Sequence, residues 1–521
     1  MPLVTFQRAM VLQEAALGVL VLPGKSAECL FYSLRMSCLY LMFSRYISLY
    51  LSLIRGWLSG GGLSTGYERE QGLGVDQVLE FEVALPSGHH VRVFPTEWDD
   101  DNNDYITPQT TKVTAICNSN VVANEDDWDW QPCTNLDVSP EDLWMALRGG
   151  GGGTYGITLS VKYQLFEQNP FQAYYLGLGW LSRNGADDKE KKVYETIMTK
   201  FKADKTGALW EEARKTFTLF VVDFLFAPEK IGVSKETSLS CGSTGTNFQF
   251  NATRSPMFCW GNKSAFSEIS SAWNRTIHGS ELAKQDPELA DLLSSKHIVF
   301  NKNITSFGDG PFTSFGEFWI YNIKSAYGKS YDDIFPANAI PDYPLPSRYP
   351  GERPKIYCST NLPLALLESD DEAERELLFK VLGTTVAGQH TTGGNVARLG
   401  DGMDSVSPSE RRSGQSAVFI QDAIDKYGDS ILNDYLTAVY KYSDDVTGFP
   451  GFSEFNHFCS EASTVSKTNW TESCDPKDEE CFSVQELVWG EDLYAKLQDI
   501  KAAVDPDNLL DCYQCVKPRN K

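Results

Sequence analysis

Five consecutive glycines, Gly149 to Gly153, constrain this chain more than any other feature. A helix or strand interior is weakened by each glycine, because glycine loses the most backbone freedom on folding and packs nothing. The run therefore marks a turn, and its flanks decide what kind. Ahead of it, Ser139-Pro-Glu-Asp142 reads as the cap of a short apolar helix, Leu143-Trp-Met-Ala-Leu147. Serine accepts a free amide there, proline suits the first turn, and the carboxylates suit the helix dipole. Behind it, Ile157-Thr-Leu-Ser-Val-Lys-Tyr163 alternates as a strand does. A glycine turn between ordered flanks lets backbone amides approach a flat or charged ligand closely, whereas the plainer reading is a flexible linker. Gly151-Gly-Gly-Thr-Tyr-Gly156 also spells GxGxxG. The dinucleotide fingerprint follows a strand and opens a helix, the reverse of this order, so that assignment is rejected.

A second glycine run, Gly60-Gly-Gly62, precedes another strand and carries the same two readings. Val78 to Leu85 alternates and ends in Pro86-Ser-Gly88, a strand and a turn, with Val91-Arg-Val-Phe94 as the hairpin partner. His89 and His90 fall in that turn and are expected to be solvated. Trp98 to Asp104 is an acidic loop. Further on, Asp187 to Lys202 reads as an amphipathic helix, Phe217 to Phe226 as a strand, and Ser369 to Leu382 and Ser416 to Tyr442 as helices. Glu491 to Val504 is a helix stopped by Asp505-Pro506. This mixture predicts an α+β fold, a sheet covered by helices.

With 70 acidic against 46 basic side chains, the formal net charge is −24. A field of that sign repels phosphate backbones, which excludes nucleic acid as an expected partner. Twelve cysteines, several of them crowded toward the C-terminus, fit disulfides better than a metal centre. Cys512-Tyr-Gln-Cys515 has no second CxxC to complete a four-ligand site. The sequons at Asn251, Asn262, Asn274, Asn303 and Asn469 point with the cysteines to a secreted glycoprotein carrying N-linked glycans. No tidy signal peptide is visible. Residues 29–54 are apolar and long enough to span a bilayer but are broken by Arg35 and Arg45. They read as an anchor, as a buried helix or, preferred here, as translated non-coding sequence.

Leu147-Arg-Gly-Gly-Gly-Gly-Gly-Thr-Tyr-Gly156, preceded by Glu141-Asp-Leu-Trp144, resembles the "DLFWALRGGGGGxFG" signature of vanillyl-alcohol-oxidase-type flavoproteins, whose FAD-binding domain is of the PCMH type. Gly56 to Gly62 with Tyr67 and Gly72-Leu-Gly-Val-Asp76 resembles the same domain's second glycine stretch. Trp489-Gly490, Lys501, Asp505 to Leu509 and Cys512 to Val516 resemble the closing element of the berberine-bridge-enzyme subset. The resemblance covers about a third of the chain; the middle is only compatible with it.

That resemblance implies FAD as cofactor and assigns its contacts to Gly60, Gly61, Gly62, Gly74, Asp76, Gly150, Gly151, Gly152, Gly153, Thr154, Gly156, Ile157 and Asp492. Phe458-Cys-Ser-Glu461-Ala resembles the family's "YxNEA" strand, which makes Glu461 the candidate general base. Val19 to Gly24 resembles the strand before the family's flavin-bonding cysteine, and Cys29 would take that role if the apolar stretch were absent. Asp492 replaces an asparagine of the family pattern. Tyr155 is expected to pack, His390 is a substrate-pocket candidate, and Arg411 and Arg412 hold either a sheet edge or a substrate. The family's front lobe, with its "RxGGH" histidine, is expected to be missing, so the flavin domain is read as truncated.

The expected architecture is an irregular segment at 1–55, the C-terminal lobe of a PCMH-type FAD domain at 56–165, an antiparallel-sheet substrate domain covered by helices at 166–450, and a berberine-bridge-type C-terminal element at 451–521. The expected activity is two-electron oxidation of a small-molecule alcohol, sugar or amine by hydride transfer to flavin N5, with molecular oxygen as acceptor. Two rivals stand beside it: a flavin-free remnant without turnover, and an extracellular carbohydrate-binding module.

Overall fold

The structure, a computed structural model, describes residues 58, 60–63, 68–98, 110–120, 127–164, 171–182, 188–234, 239–243, 248–251, 256–261, 263–294, 306–307, 310–311, 359–384, 390–398, 403–442, 465–466, 474–475, 481–511 and 515–519. Cys29, the apolar stretch 29–54, Glu461 and the loop at 99–104 lie outside the described residues.

The first sheet comprises β1 (Val78–Ala84), β2 (His90–Trp98), β3 (Thr110–Asn118), β4 (Trp130–Pro132) and β5 (Ile157–Tyr163), in the order β4-β3-β2-β1-β5. All its pairings are antiparallel. Alternation splits its residues by face. Phe81 and Val83 meet Val93 and Val91 on the core side, while Glu82 stands opposite Arg92 on the other. The helix α1 (Pro140–Leu147) begins as its sequence predicts, with the Ser139 hydroxyl accepting the Asp142 amide at 3.1 Å. It covers the core face, and Trp144 meets Phe81 edge-to-face at 5.6 Å.

Helices α2 (Asp188–Ala203), α3 (Ala208–Phe226) and α4 (Lys263–Gly279) follow, with a sheet of β6 (Phe171–Tyr175), β7 (Leu239–Ser243) and β8 (Pro256–Gly261) in the order β6-β8-β7. The expectation of a strand at Phe217 to Phe226 is overturned, because these residues form the second half of α3. Phe217, Phe220, Val221, Val222, Phe224, Leu225 and Phe226 are all buried. A helix enclosed on nearly all sides writes a continuous apolar run, which periodicity cannot tell from a buried strand.

A third sheet of β9 (Ser359–Pro363), β10 (His390–Thr391) and β11 (Ser413–Phe419) has the order β9-β11-β10, with α5 (Glu372–Leu382) and α6 (Ser430–Lys441) beside it. Here the expected helix from Ser416 to Tyr442 is corrected: Ser416 belongs to β11, a short helix spans Gln421–Tyr427, and α6 follows a turn at Gly428. Ser413, Gln415 and Ser416 are all buried at the centre of that sheet, so no polar-apolar alternation betrays the strand. The final helix, α7 (Glu491–Val504), keeps its predicted bounds.

Apolar packing divides into two clusters. One unites residues of 58–163 with Val396, Val406, Val488, Trp489, Leu497, Ile500, Val504 and Val516; the other draws on 176–293 and 362–440 with Phe482 and Leu487. The C-terminal segment thus returns to the first sheet. Disulfides join Cys117 to Cys133 and Cys474 to Cys481. Among the described residues no helix is long and apolar enough to cross a membrane, and no group of three or more His, Cys, Asp or Glu is placed to hold a metal. Asn251 and Asn274 are exposed.

Candidate functional site

Each glycine run makes a close backbone approach, and both Gly61 and Gly149 lie against Val406. Gly62 has φ +80°, and a Cβ there would lie 2.7 Å from the Cα of Gly74. The Gly74 amide donates to the Gly62 carbonyl at 2.9 Å, and Val75 to Gly61 at 3.2 Å. Gly149, at φ +114°, makes an equally close approach: a Cβ would stand 2.6 Å from the amide nitrogen of Val406. Ser405 locks this crossing, its amide donating to Arg148 O at 2.8 Å and its hydroxyl to Met145 O at 2.7 Å. Trp489 closes it, the indole Nε1 donating to Ser405 O at 2.9 Å. Gly62 and Gly149 therefore serve backbone-to-backbone contact.

Beyond the crossing the turn opens. The Gly150 amide still bonds Ala146 O at 3.1 Å. Gly151, Thr154 and Tyr155 are buried, yet among the described residues their amides have no acceptor. Buried amides are almost always paired, so three orphans in one turn mark a place that can receive oxygen atoms of a ligand. Gly152 is half-buried and Gly153 exposed on the rim.

The back of the turn is held by the C-terminal segment. Lys501 is fully buried and donates to Thr154 O at 2.8 Å, Asp505 Oδ2 at 2.6 Å and Leu510 O at 2.8 Å. Those bonds use all three ammonium protons. Burial lowers the Lys501 pKa although Asp505 works against it. Burial also opposes the Asp505 charge, but Lys501 and the amides of Leu510 and Leu509 outweigh it and hold that carboxyl low. Cys515, disulfide-bonded, places Sγ 3.3 Å from the Thr154 hydroxyl.

Asp76, which the resemblance assigns to the cofactor, has its carboxylate engaged within the protein. Its carboxylate receives Arg411 at 2.6 and 2.8 Å and lies 3.6 Å from Arg148, while Arg411 also bonds Asp404 at 2.8 Å. All four residues are buried. The Asp76 carboxylate thus sits inside an ion network with Arg411 and Asp404 that ties the second glycine loop to the segment before β11. Arg148 adds bonds to Val75 O at 3.1 Å and Met403 O at 3.0 Å.

Among the other sequence candidates, Gly60 is buried beside Gly61, and Gly74 opens a 3-10 turn through Gln77. A Cβ on Gly156 would lie 2.8 Å from Val83, so that glycine serves packing under β1. Ile157 starts β5 with 47% of its surface exposed. Asp492 is exposed in the first turn of α7, where a carboxylate complements the dipole. Tyr155 packs as expected, its hydroxyl buried with no partner among the described residues, and burial pushes its pKa well up. His390 pairs with Ser416 through the backbone of β10.

One histidine expectation is corrected. His89 stays in the turn, but His90 is 7% exposed, bonded to Glu82 at 2.8 Å and flanked edge-to-face by Trp128 and Trp130. The hairpin is one residue tighter than read, so His90 joins the strand on the Glu82 face. Arg148, Ser405 and the Glu82–His90 pair were not singled out from sequence. The arginine directly ahead of the glycine run was the available signal.

No family model matches the chain. It is similar to the FAD-linked oxidoreductase easE of Claviceps purpurea (strain 20.1), 32% identical over 117 residues, 22% of this chain and 16% of that protein. The FAD-linked oxidoreductase notD of Aspergillus sp. (strain MF297-2) is 32% identical over 115 residues, 22% of this chain and 12% of its own. The chain thus covers about a sixth or less of the length of these curated relatives. The VAO-type flavoprotein MtVAO713 of Myceliophthora thermophila C1 superposes loosely, with TM-score 0.39 and 14% identity over 88% of this chain and 60% of that one. Over that stretch of about 115 residues, the chain is similar to FAD-linked oxidoreductases.

Proposed function

We propose that this chain is an FAD-linked oxidoreductase of the berberine-bridge type, oxidising a small-molecule alcohol, sugar or amine. The observation that carries the reading is the turn at Gly151 to Tyr155, whose buried amides lack acceptors. FAD fits that donor set: its pyrophosphate and ring carbonyl oxygens are acceptors without protons to give, and glycine lets them come close. Bound FAD supplies two-electron chemistry, taking hydride from the substrate. The protein's own part is to bind and orient. Gly151, Thr154 and Tyr155 would donate to the cofactor, with Gly152 and Gly153 leaving the rim clear. Lys501, Ser405 and Trp489 hold the turn and the crossing behind it. Glu461, by resemblance, would take the substrate's hydroxyl or amine proton as hydride leaves.

Oxygen as the acceptor, export and N-glycosylation belong to the same proposal; the two disulfides and the exposed Asn251 and Asn274 support it. The test is the absorption spectrum of the purified chain before and after acid precipitation. Flavin bands released to the supernatant support a bound, non-covalent FAD. Bands remaining in the pellet support a covalent bond and point to Cys29. A folded chain without flavin overturns the reading.

A further inference from the structure

We propose that Lys501 is a positioning residue for the cofactor turn, aiming the Tyr155 amide by capturing the carbonyl of Thr154. The inference rests on the FAD reading above and adds to it the residue that sets the donor's direction.

The argument is one of peptide geometry. The Thr154 carbonyl and the Tyr155 amide share one planar trans peptide unit, so the C=O and N–H point in opposite directions. Lys501 Nζ holds the carbonyl at 2.8 Å from the side of α7. The Tyr155 N–H must then project away from α7, and there it has no acceptor among the described residues. The lysine cannot drift, because Asp505 Oδ2 and Leu510 O take its other protons at 2.6 and 2.8 Å. Asp505 is fixed in turn by the amides of Leu509 and Leu510, each at 2.8 Å. With both Lys501 and Asp505 fully buried, solvent offers no substitute for either bond. A charged donor at such a site is a costly choice for mere packing, and one of its three bonds reaches the turn while the other two anchor it in the C-terminal segment.

The experiment measures FAD per chain and the visible circular dichroism of the bound flavin, with folding followed by far-ultraviolet circular dichroism. Lys501→Met removes the donor and keeps the length. Expected loading at limiting FAD falls to about a tenth, the effect of one charge-assisted hydrogen bond, and the flavin dichroism changes. Leu289→Ala, in the other apolar cluster, lowers stability without touching the turn and should load as wild type does. If the methionine variant does not fold, Lys501→Gln, which keeps a neutral donor at shorter reach, is read by the same two signals. Wild-type loading with an unchanged flavin dichroism in a folded Lys501 variant overturns the inference and leaves the FAD reading intact. Equal losses in Lys501→Met and Leu289→Ala also overturn it, since stability alone would then explain both. A wild-type chain that takes up no flavin overturns the FAD reading itself.

Discussion

Arg411 and Asp76 lie 335 residues apart in sequence, yet they share two hydrogen bonds of 2.6 and 2.8 Å in the interior. Burial opposes the charge on Arg411, but Asp404 and Asp76 overcome it and raise the guanidinium pKa. Removing one partner leaves the others charged and unsolvated. Asp76→Asn and Arg411→Met should each cost about 3–5 kcal/mol of unfolding free energy, read from denaturant midpoints. A loss near zero would show that solvent reaches the network.

The glycines divide into two kinds under alanine substitution. Gly149→Ala forces a Cβ to 2.6 Å from a backbone nitrogen and Gly62→Ala to 2.7 Å from a backbone carbon, so each should abolish cooperative thermal unfolding or lower its midpoint steeply. Gly153→Ala meets nothing within 4 Å and costs only its left-handed φ of +71°, about 1–2 kcal/mol. Equal effects at all three positions would contradict the crossing.

Acid should weaken the outer face of the first sheet. Burial alone would raise the Glu82 pKa, but hydrogen bonds from His90 and Arg92 reverse that and lower it. A depressed folded-state pKa contributes stability above the unfolded value of about 4.5 and loses it as pH falls through the folded one. Glu82→Gln should therefore be less stable than wild type at pH 6, with the gap closing below pH 4.5 in a series of denaturant titrations.

The Cys117–Cys133 disulfide closes a loop across a sequence separation of 16 residues at the edge of the same sheet. Replacing both cysteines by serine should lower stability by about 3 kcal/mol, the chain-entropy value for a loop of that size. Unfolding in denaturant, with and without reductant, checks it.

For the chemistry, Glu461→Gln is expected to lower turnover by about 100-fold to 10,000-fold while flavin content stays at the wild-type level. The same turnover with glutamine in place would remove Glu461 from the reaction.

Local signals carried much of the fold. The Ser139 cap, the alternation in β5 and the Asp505 stop each fixed an element within a residue or two, because each is written in neighbouring side chains. The reading failed where tertiary burial overrode pattern, in the enclosed half of α3 and the polar interior strand β11. At the candidate site, the glycine run showed where a turn must be, but not that Gly62 and Gly149 face other backbone. Those contacts join Gly149 to Val406 and Gly62 to Gly74, and no spacing rule in one sequence foretells them. The pairing of Asp76 with Arg411 was hidden for the same reason: an ion pair is a property of two positions, and neither stretch of sequence names the other.

Trp489 donates to a carbonyl at residue 405 and lies 3.4 Å from another at residue 149. A chain leaving the ribosome presents its glycine turn hundreds of residues before that indole emerges, so the crossing stays open at least until residue 489 is free. Contacts of such sequence separation form slowly and late. Assembly of the glycine turn thus waits for a distant partner, and until it arrives the nascent chain must keep the apolar face of the first sheet away from other molecules.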